Sequence, residues 1–135
     1  MNTRSERIEF IVQRRVMPCP MFGRVSTAAV VMVHREMPLL MVGTMLLHDS
    51  PRGWMISGIV IDDDDRRRGF ATEAVDWARR EFGPLGAAWA SESGRAFARV
   101  YERTRGPQPW KICTDADDAE AGAMLAEIRH DSPRV

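Results

Sequence analysis

The feature that most constrains the fold is a run of apolar residues followed by a charged loop and then by an amphipathic helix. Residues 54–61 (WMISGIVI) are apolar almost throughout, as in a strand that is covered on both faces. From residue 69 to residue 82 the apolar side chains recur at helical spacing, and residues 85–90 (LGAAWA) suit a second short strand. Because strand–helix–strand connections are right-handed, we expect these two strands to be parallel.

Three more strands are predicted before residue 54, with turn residues between them. Alternation, β-branched residues and hairpin spacing predict strands over residues 8–16, 27–36 and 39–48. Gly23, Pro38 and the DSPRG segment at 49–53 mark the turns. Gly58, within the fourth strand, indicates a bulge or a close backbone approach. The four strands are expected to form an antiparallel meander, so the whole sheet is mixed and the fold class is α/β.

The chain after residue 90 is predicted to add a second helix, a short sixth strand and a third helix. Ser91 or Ser93 can cap the second helix. The sixth strand is predicted over residues 109–113. Thr114 or Asp115 can begin the third helix, and the tail after about residue 130 is expected to be loose.

Composition limits the partners and the compartment. Formal net charge is zero, so no overall field recruits nucleic acid or an anionic membrane, and no apolar run approaches the ~18 residues of a membrane span. The N-terminal segment lacks the apolar region of a signal peptide. Cys19 and Cys113 fit no metal-binding spacing and are expected to be free thiols. We therefore expect a cytoplasmic, metal-free protein with a single domain over residues 1–135.

The junction between the fourth strand and the first helix carries the clearest chemical signal. Four aspartates (62–65) and three arginines (66–68) precede Gly69, Phe70 and Ala71. The first N–H groups of a helix have no partner within the helix, and with the positive end of the helix dipole they form an anion site. Gly69 lets the backbone come close to a ligand, and the arginines can fork onto phosphate oxygens. This arrangement suits a pyrophosphate.

The spacing of this junction is neither a Walker A sequence nor GxGxxG. It is R-x-x-G-x-A over residues 66–71, with the aliphatic Ile61 five positions before Arg66. In this it resembles the acyl-CoA loop of the GNAT superfamily of N-acyltransferases, whose usual pattern is an aliphatic residue, four variable positions and then R/Q-x-x-G-x-G/A. The order of the elements also fits that family, so the resemblance covers roughly residues 27–106.

The resemblance implies a fold and a set of contacts. The fold is a GNAT-like mixed β-sheet, mostly antiparallel, with a parallel pair splayed between strands four and five and with helices on both faces. Acetyl-CoA would be the co-substrate, with its pyrophosphate on the loop and its pantetheine arm in the gap beside strand four. The cofactor-binding residues implied in this way are Val60, Ile61, Arg66, Arg67, Arg68, Gly69, Phe70, Ala71, Thr72 and Ser93. Tyr101 would be the general acid that protonates the leaving thiolate.

Three features depart from the pattern of the family. Tyr101 stands one position later than in the family's N-x-x-A-x-x-x-Y pattern, which is about 100° around a helix. The fourth strand has no glutamate to act as general base, which leaves His48, Asp49, Glu36 or a chain of waters. The two helices that the family has between strands one and two are missing or reduced to a loop near residues 18–23, so the acceptor site is undefined.

Three functions from different classes remain open. The first is an N-acetyltransferase that moves an acetyl group from acetyl-CoA to an unknown amine, on a small molecule or a protein, by direct attack. The second is a catalytically weak or inactive acyl-CoA-binding or protein-interaction module, as in small phage-encoded GNAT-like proteins, which the SESGRAF opening of the second helix resembles. The third is a nucleic-acid interface that uses residues 66–68 with Arg95, Arg99 and Arg103, against which the zero net charge counts.

Single residues also have simpler interpretations. The four aspartates are expected to form a solvated turn, since they lack the ligand spacing of an EF-hand Ca²⁺ loop. Tyr101 can equally be a packed core residue. An unpaired sheet edge or an exposed Trp110 would allow a homodimer, and no membrane partner is expected.

Overall fold

The structure is a computed structural model that describes residues 7–21, 23–66 and 68–113. Its contacts divide the chain into two compact units with the boundary between Ala87 and Ala88. Each unit is described by itself. The third helix predicted from Thr114 or Asp115, and the loose tail, lie outside the described residues.

The described elements form a mixed α/β fold, which confirms the predicted fold class at this level. Its six strands follow one another in sequence order in one open sheet. The strands are β1 (Ile8–Cys19), β2 (Gly23–His34), β3 (Met41–Ser50), β4 (Gly53–Ile61), β5 (Gly86–Trp89) and β6 (Trp110–Ile112). The helices are α1 (Phe70–Phe82) and α2 (Glu92–Arg105), with a single 3-10 turn at Asp63–Asp65. β1 to β4 are antiparallel neighbours and β5 is parallel to β4, both as predicted.

The first two strands form one long hairpin. Their register runs from Ile8 opposite His34 to Cys19 opposite Gly23, so the chain reverses within three residues. Within the described residues no helix lies between the two strands, as the sequence predicted. The first strand was predicted to end at residue 16, yet Pro18 continues it opposite Arg24, because β1 is the edge strand and an edge tolerates a missing N–H donor.

The core of the first unit lies between α1 and one face of the β1–β4 sheet. The Trp77 ring of α1 stacks on Phe10 of β1, with centroids 4.4 Å apart, and Phe82 of α1 packs on Trp54 of β4. Fully buried residues of β2, β3 and α1 fill the space between them: Ala28, Val30, Met32, Met45, Ala74, Val75 and Ala78. Burying a side chain the size of valine or methionine contributes about 1.5–3 kcal/mol. This packing fixes α1, and therefore its N-terminus, at the end of β4.

A bulge interrupts β4, as Gly58 indicated. Leu46 of β3 pairs with Gly58 and Leu47 pairs with Ile56, so Ser57 is an extra residue without an opposite partner. The parallel pairing with β5 consists of Met55 with Gly86 and Ile56 with Ala87. The bulge therefore begins where that pairing ends.

The close backbone approach occurs at Gly43 of β3 rather than at Gly58. A Cβ on Gly43 would overlap the carbonyl oxygen of Val60 and lie 3.0 Å from Ile61 Cα, whereas a Cβ on Gly58 would meet no atom within 4 Å. Glycine at position 43 thus lets β3 press against the last residues of β4.

The second unit contains α2, β6 and a cluster of four aromatic rings. Ser91 caps α2, because its Oγ accepts the Gly94 N–H at 3.0 Å, so of the two predicted caps Ser91 is the one used. The Cys113 N–H donates to the Trp89 carbonyl oxygen at 2.9 Å. Trp89, Phe97, Tyr101 and Trp110 form the cluster, with neighbouring centroids 5.0–5.7 Å apart.

Candidate functional site

The candidate site begins where β4 ends and the chain turns towards α1. The Asp62 N–H donates to the Val42 carbonyl oxygen at 2.7 Å, which ties the start of the loop to β3. The Asp62 carboxylate then accepts the Asp64 N–H at 3.1 Å and caps the 3-10 turn. Arg66 bends back, and its Nε donates to the Ile61 carbonyl oxygen at 3.3 Å. Local hydrogen bonds therefore define the loop between β4 and α1.

Asp65 holds the loop from its buried side. It is only 5% exposed, and its Oδ1 lies 3.0 Å from His34 Nε2 and 3.4 Å from Arg68 Nη1. A carboxylate is costly to bury unless charged or hydrogen-bonding groups compensate it, and these two side chains do so. The prediction that all four aspartates form a solvated turn is therefore wrong for Asp65, because the 3-10 turn directs this one carboxylate inward.

Replacing Asp65 with asparagine is expected to lower the free energy of unfolding by about 1–3 kcal/mol, since it removes a buried negative charge that contacts His34 and Arg68. The matched control is Asp63→Asn, which removes a carboxylate that is 86% exposed and paired with Arg66 on the surface. That change should stay within about 0.5 kcal/mol. Urea unfolding followed by circular dichroism measures both, and equal losses would contradict the anchoring role.

The N-terminus of α1 is open. Gly69 is the N-cap residue, in the left-handed conformation (φ 82°, ψ 9°), and no side chain caps the helix. Among the described residues, the N–H groups of Phe70, Ala71 and Thr72 have no hydrogen-bond partner. Three adjacent donors at the positive end of a 13-residue helix form an anion-binding geometry. These are residues that the sequence assigned to the pyrophosphate.

Cations surround this helix end, including one that the sequence did not indicate. Arg66 and Arg68 have side chains that are 62% and 57% exposed, while Arg67 lies outside the described residues. Arg7 contacts the same place: its Nη2 is 2.6 Å from Glu73 Oε2, and its guanidinium lies 4.3 Å above the Phe70 ring. Arg7 precedes the loop by about 60 residues, so no local pattern could have revealed it.

The end of β4 exposes apolar surface beside the loop. Val60 is 61% exposed although it lies within a strand, and Ile61 is half-buried. Both are among the cofactor-binding residues that the resemblance implies. Val60 and Ile61 directly precede the loop in the sequence, so they necessarily lie beside it.

The three side chains that could serve as general base are differently placed within the first unit. Glu36 is exposed in the β2–β3 turn and Asp49 is exposed near the end of β3. His48 is half-buried on β3, and its Nδ1 is hydrogen-bonded to the hydroxyl of Ser57, the bulged residue of β4. Sequence reasoning missed Ser57, since its contact with His48 depends on the register in which β3 and β4 pair.

Ser93 and Tyr101 belong to the second unit, on α2. Ser93 is exposed in the first turn of the helix. Tyr101 is 1% exposed, and its ring packs against Trp110 and Phe97 with the Arg105 guanidinium 5.3 Å above it. Its role as general acid stays a prediction, and its burial is that of a packed core residue. Trp110 is half-buried in the same cluster.

Two further findings concern the described part of the chain. Over residues 7–21, 23–66 and 68–113, no helix is long and apolar enough to cross a membrane. Within those same ranges, no three histidine, cysteine or acidic side chains are grouped so that they could hold a metal ion. No protein-family model, curated protein or solved structure matches the chain.

Proposed function

We propose that this protein is an acyl-CoA-dependent N-acyltransferase of the GNAT type, which transfers an acetyl group from acetyl-CoA to an amine by direct attack. One observation carries the proposal. The R-x-x-G-x-A spacing of residues 66–71 coincides with a helix start whose three leading N–H groups have no partner among the described residues. The spacing comes from the sequence and the open donors from the fold, so the two supports are distinct.

The loop suits a pyrophosphate because donors and positive charge converge on it. The N–H groups of Phe70, Ala71 and Thr72 would hydrogen-bond the phosphate oxygens, and Gly69 leaves room for that approach. Arg66 and Arg68 would add charge from the exposed side of the loop. Hydrogen bonds to a charged group contribute about 1.5–3 kcal/mol each, so three of them contribute about 4.5–9 kcal/mol, a large part of the ~8 kcal/mol of a micromolar ligand.

The pantetheine arm would bind along the end of β4. The pairing of β4 with β5 reaches only to Ile56, so the backbone of residues 58–61 on that side is the natural partner for the amides of the arm, in the manner of an added strand. Val60 and Ile61 would supply apolar contact. The finer fold, with β4 and β5 splayed and helices on both faces, is part of this proposal.

The chemistry would be one nucleophilic displacement. The amine nitrogen attacks the thioester carbon, the C–S bond breaks, and the thiolate takes a proton to leave as a thiol. Tyr101 is proposed as the donor of that proton, on the resemblance of α2 to the family's helix. His48, or a water that it contacts, would accept the proton that the amine loses.

Calorimetry with acetyl-CoA tests the proposal. We expect a dissociation constant below about 1 mM, within the range usual for enzyme substrates. Acetyl-pantetheine, which lacks the pyrophosphate, should bind about 100-fold more weakly, because it loses the charge-assisted hydrogen bonds of the loop. Absence of acetyl-CoA binding at millimolar concentration would reject the proposal, and equal binding of both ligands would reject the role of the loop.

A second candidate function is an acyl-CoA-binding or interaction module without catalysis. The observation that favours it is the burial of Tyr101, together with the exposure of Val100 at the position where the family pattern has its tyrosine. A panel of amines that includes polyamines, peptide N-termini and aminoacyl-tRNA separates the two. Thiol release that depends on an acceptor and is lost in Tyr101→Phe would reject the non-catalytic module.

A further inference from the structure

The face of the β1–β4 sheet opposite α1 carries a row of polar side chains. Phe10 and Arg14 of β1 contact α1, so Arg15 points to the other face. The register then aligns Arg15 with Thr27 and Thr27 with His48 across three strands. On β4 the residue opposite His48 is Met55, and Ser57, two residues further along the same face, is hydrogen-bonded to His48.

Ser57 and His48 are arranged as a nucleophile and a base. The Ser57 hydroxyl is hydrogen-bonded to the Nδ1 of His48, which is the contact that lets an imidazole take the hydroxyl proton during attack on a carbonyl. Ser57 is exposed, so a substrate can reach its oxygen. Ser57 is also the extra residue of the β4 bulge, and bulges commonly lie next to functional sites.

The surface beside the hydroxyl is open. Gly58 follows Ser57, and a Cβ at that position would meet no atom within 4 Å. The pairing of β4 with β5 ends at Ile56, immediately before the serine. An acyl group therefore finds free space next to Ser57, on the stretch of β4 that has no further β5 partner within the described residues.

We propose that Ser57 accepts acyl groups from activated esters and thioesters, with His48 as its base. The Ser57 oxygen bonds to the carbonyl carbon while its proton passes to His48 Nδ1. The bond from that carbon to the leaving oxygen or sulfur then breaks, and His48 returns the proton to the leaving group. The product is an ester on Ser57, which an amine or water subsequently cleaves. This activity does not require the acyl-CoA loop, because a small activated ester can serve as donor.

Mass spectrometry after incubation with p-nitrophenyl acetate tests this site. Trypsin releases residues 53–66 (GWMISGIVIDDDDR) as one peptide, in which Ser57 is the single hydroxyl, thiol or amine side chain. We expect time-dependent acetylation of this peptide in the native protein and none in Ser57→Ala. His48→Gln should slow it by about 100-fold, the usual contribution of a positioned base, and added imidazole should restore part of the rate in His48→Ala.

The controls separate this site from general reactivity and from the proposed function. Ser26→Ala, on β2 and on the other face of the sheet, should leave acetylation of the 53–66 peptide unchanged. A native peptide that stays unmodified, or a His48→Gln rate equal to the native rate in a folded variant, would overturn the inference. Acetylation of Ser57 by the ester in a protein that fails to bind acetyl-CoA by calorimetry would sustain the Ser57 site and reject the proposed function.

Discussion

Replacing Gly69 with valine is expected to weaken acetyl-CoA binding by about 100-fold, which corresponds to about 2.7 kcal/mol. The residue has φ 82° and ψ 9°, a conformation that costs an L-residue roughly 1–2 kcal/mol and a β-branched residue more. Within the protein a Cβ there would only reach Arg7 Nη2, at 3.5 Å, so the fold has room for it. The added methyl groups would instead stand between the ligand and the open N–H groups at the start of α1. Calorimetry measures the loss.

The other end of the same helix supplies the matched control. Gly83 is the C-cap residue of α1 with φ 83°, and a Cβ on it would meet nothing within 4 Å. Gly83→Val therefore strains the backbone to at least the same degree without approaching the loop, and it should lower stability while keeping native affinity for acetyl-CoA. If both variants lost affinity equally, helix strain would explain the loss and the loop would not be the pyrophosphate site.

The sequence predicted the order and direction of the elements because those follow from local periodicity. Strand alternation gave way to helical spacing at residue 69, and the structure begins α1 at Phe70. The loop residues were predicted together because they are consecutive in the chain, so one motif contained them all. A cap at Ser91 or Ser93, and a bulge or a close backbone approach at Gly58, were likewise indicated by residue type, and the structure shows the Ser91 cap and the bulge.

What the sequence could not predict depends on register and on distant residues. The sequence cannot distinguish four consecutive aspartates from one another, and it is the 3-10 turn that buries Asp65. Arg7 reaches α1 because it directly precedes β1, the strand whose Phe10 stacks on Trp77 of α1. The contact of His48 with Ser57 depends on the register of β3 and β4, which places Met55 opposite His48 and Ser57 two residues further along the same face. Chemistry that is assembled across strands is therefore hidden until the pairing is known.

Gly43 illustrates the same limit, and Gly43→Ala is expected to cause the largest loss of stability among the variants considered, about 3 kcal/mol or more. Its Cβ would overlap the Val60 carbonyl oxygen and crowd Ile61 Cα. Both are backbone atoms, so no side chain can rotate away and the two strands must separate, which makes the cost exceed ordinary overpacking of a core. Separation would also stretch the Asp62 N–H to Val42 carbonyl hydrogen bond that starts the loop.

Gly58→Ala is the control for this effect, because Gly58 lies on the facing strand, has no positive φ and leaves open space where a Cβ would stand. Its free energy of unfolding should change by less than about 1 kcal/mol. Urea unfolding compares the two variants directly, and equal midpoints would show that β3 and β4 are not in close contact at Gly43.

If Gly43→Ala remains folded at low temperature, its affinity for acetyl-CoA should fall as well. Val60, Ile61 and the loop are displaced together when β4 moves, so under the proposed function stability and acetyl-CoA binding would both depend on this one backbone contact.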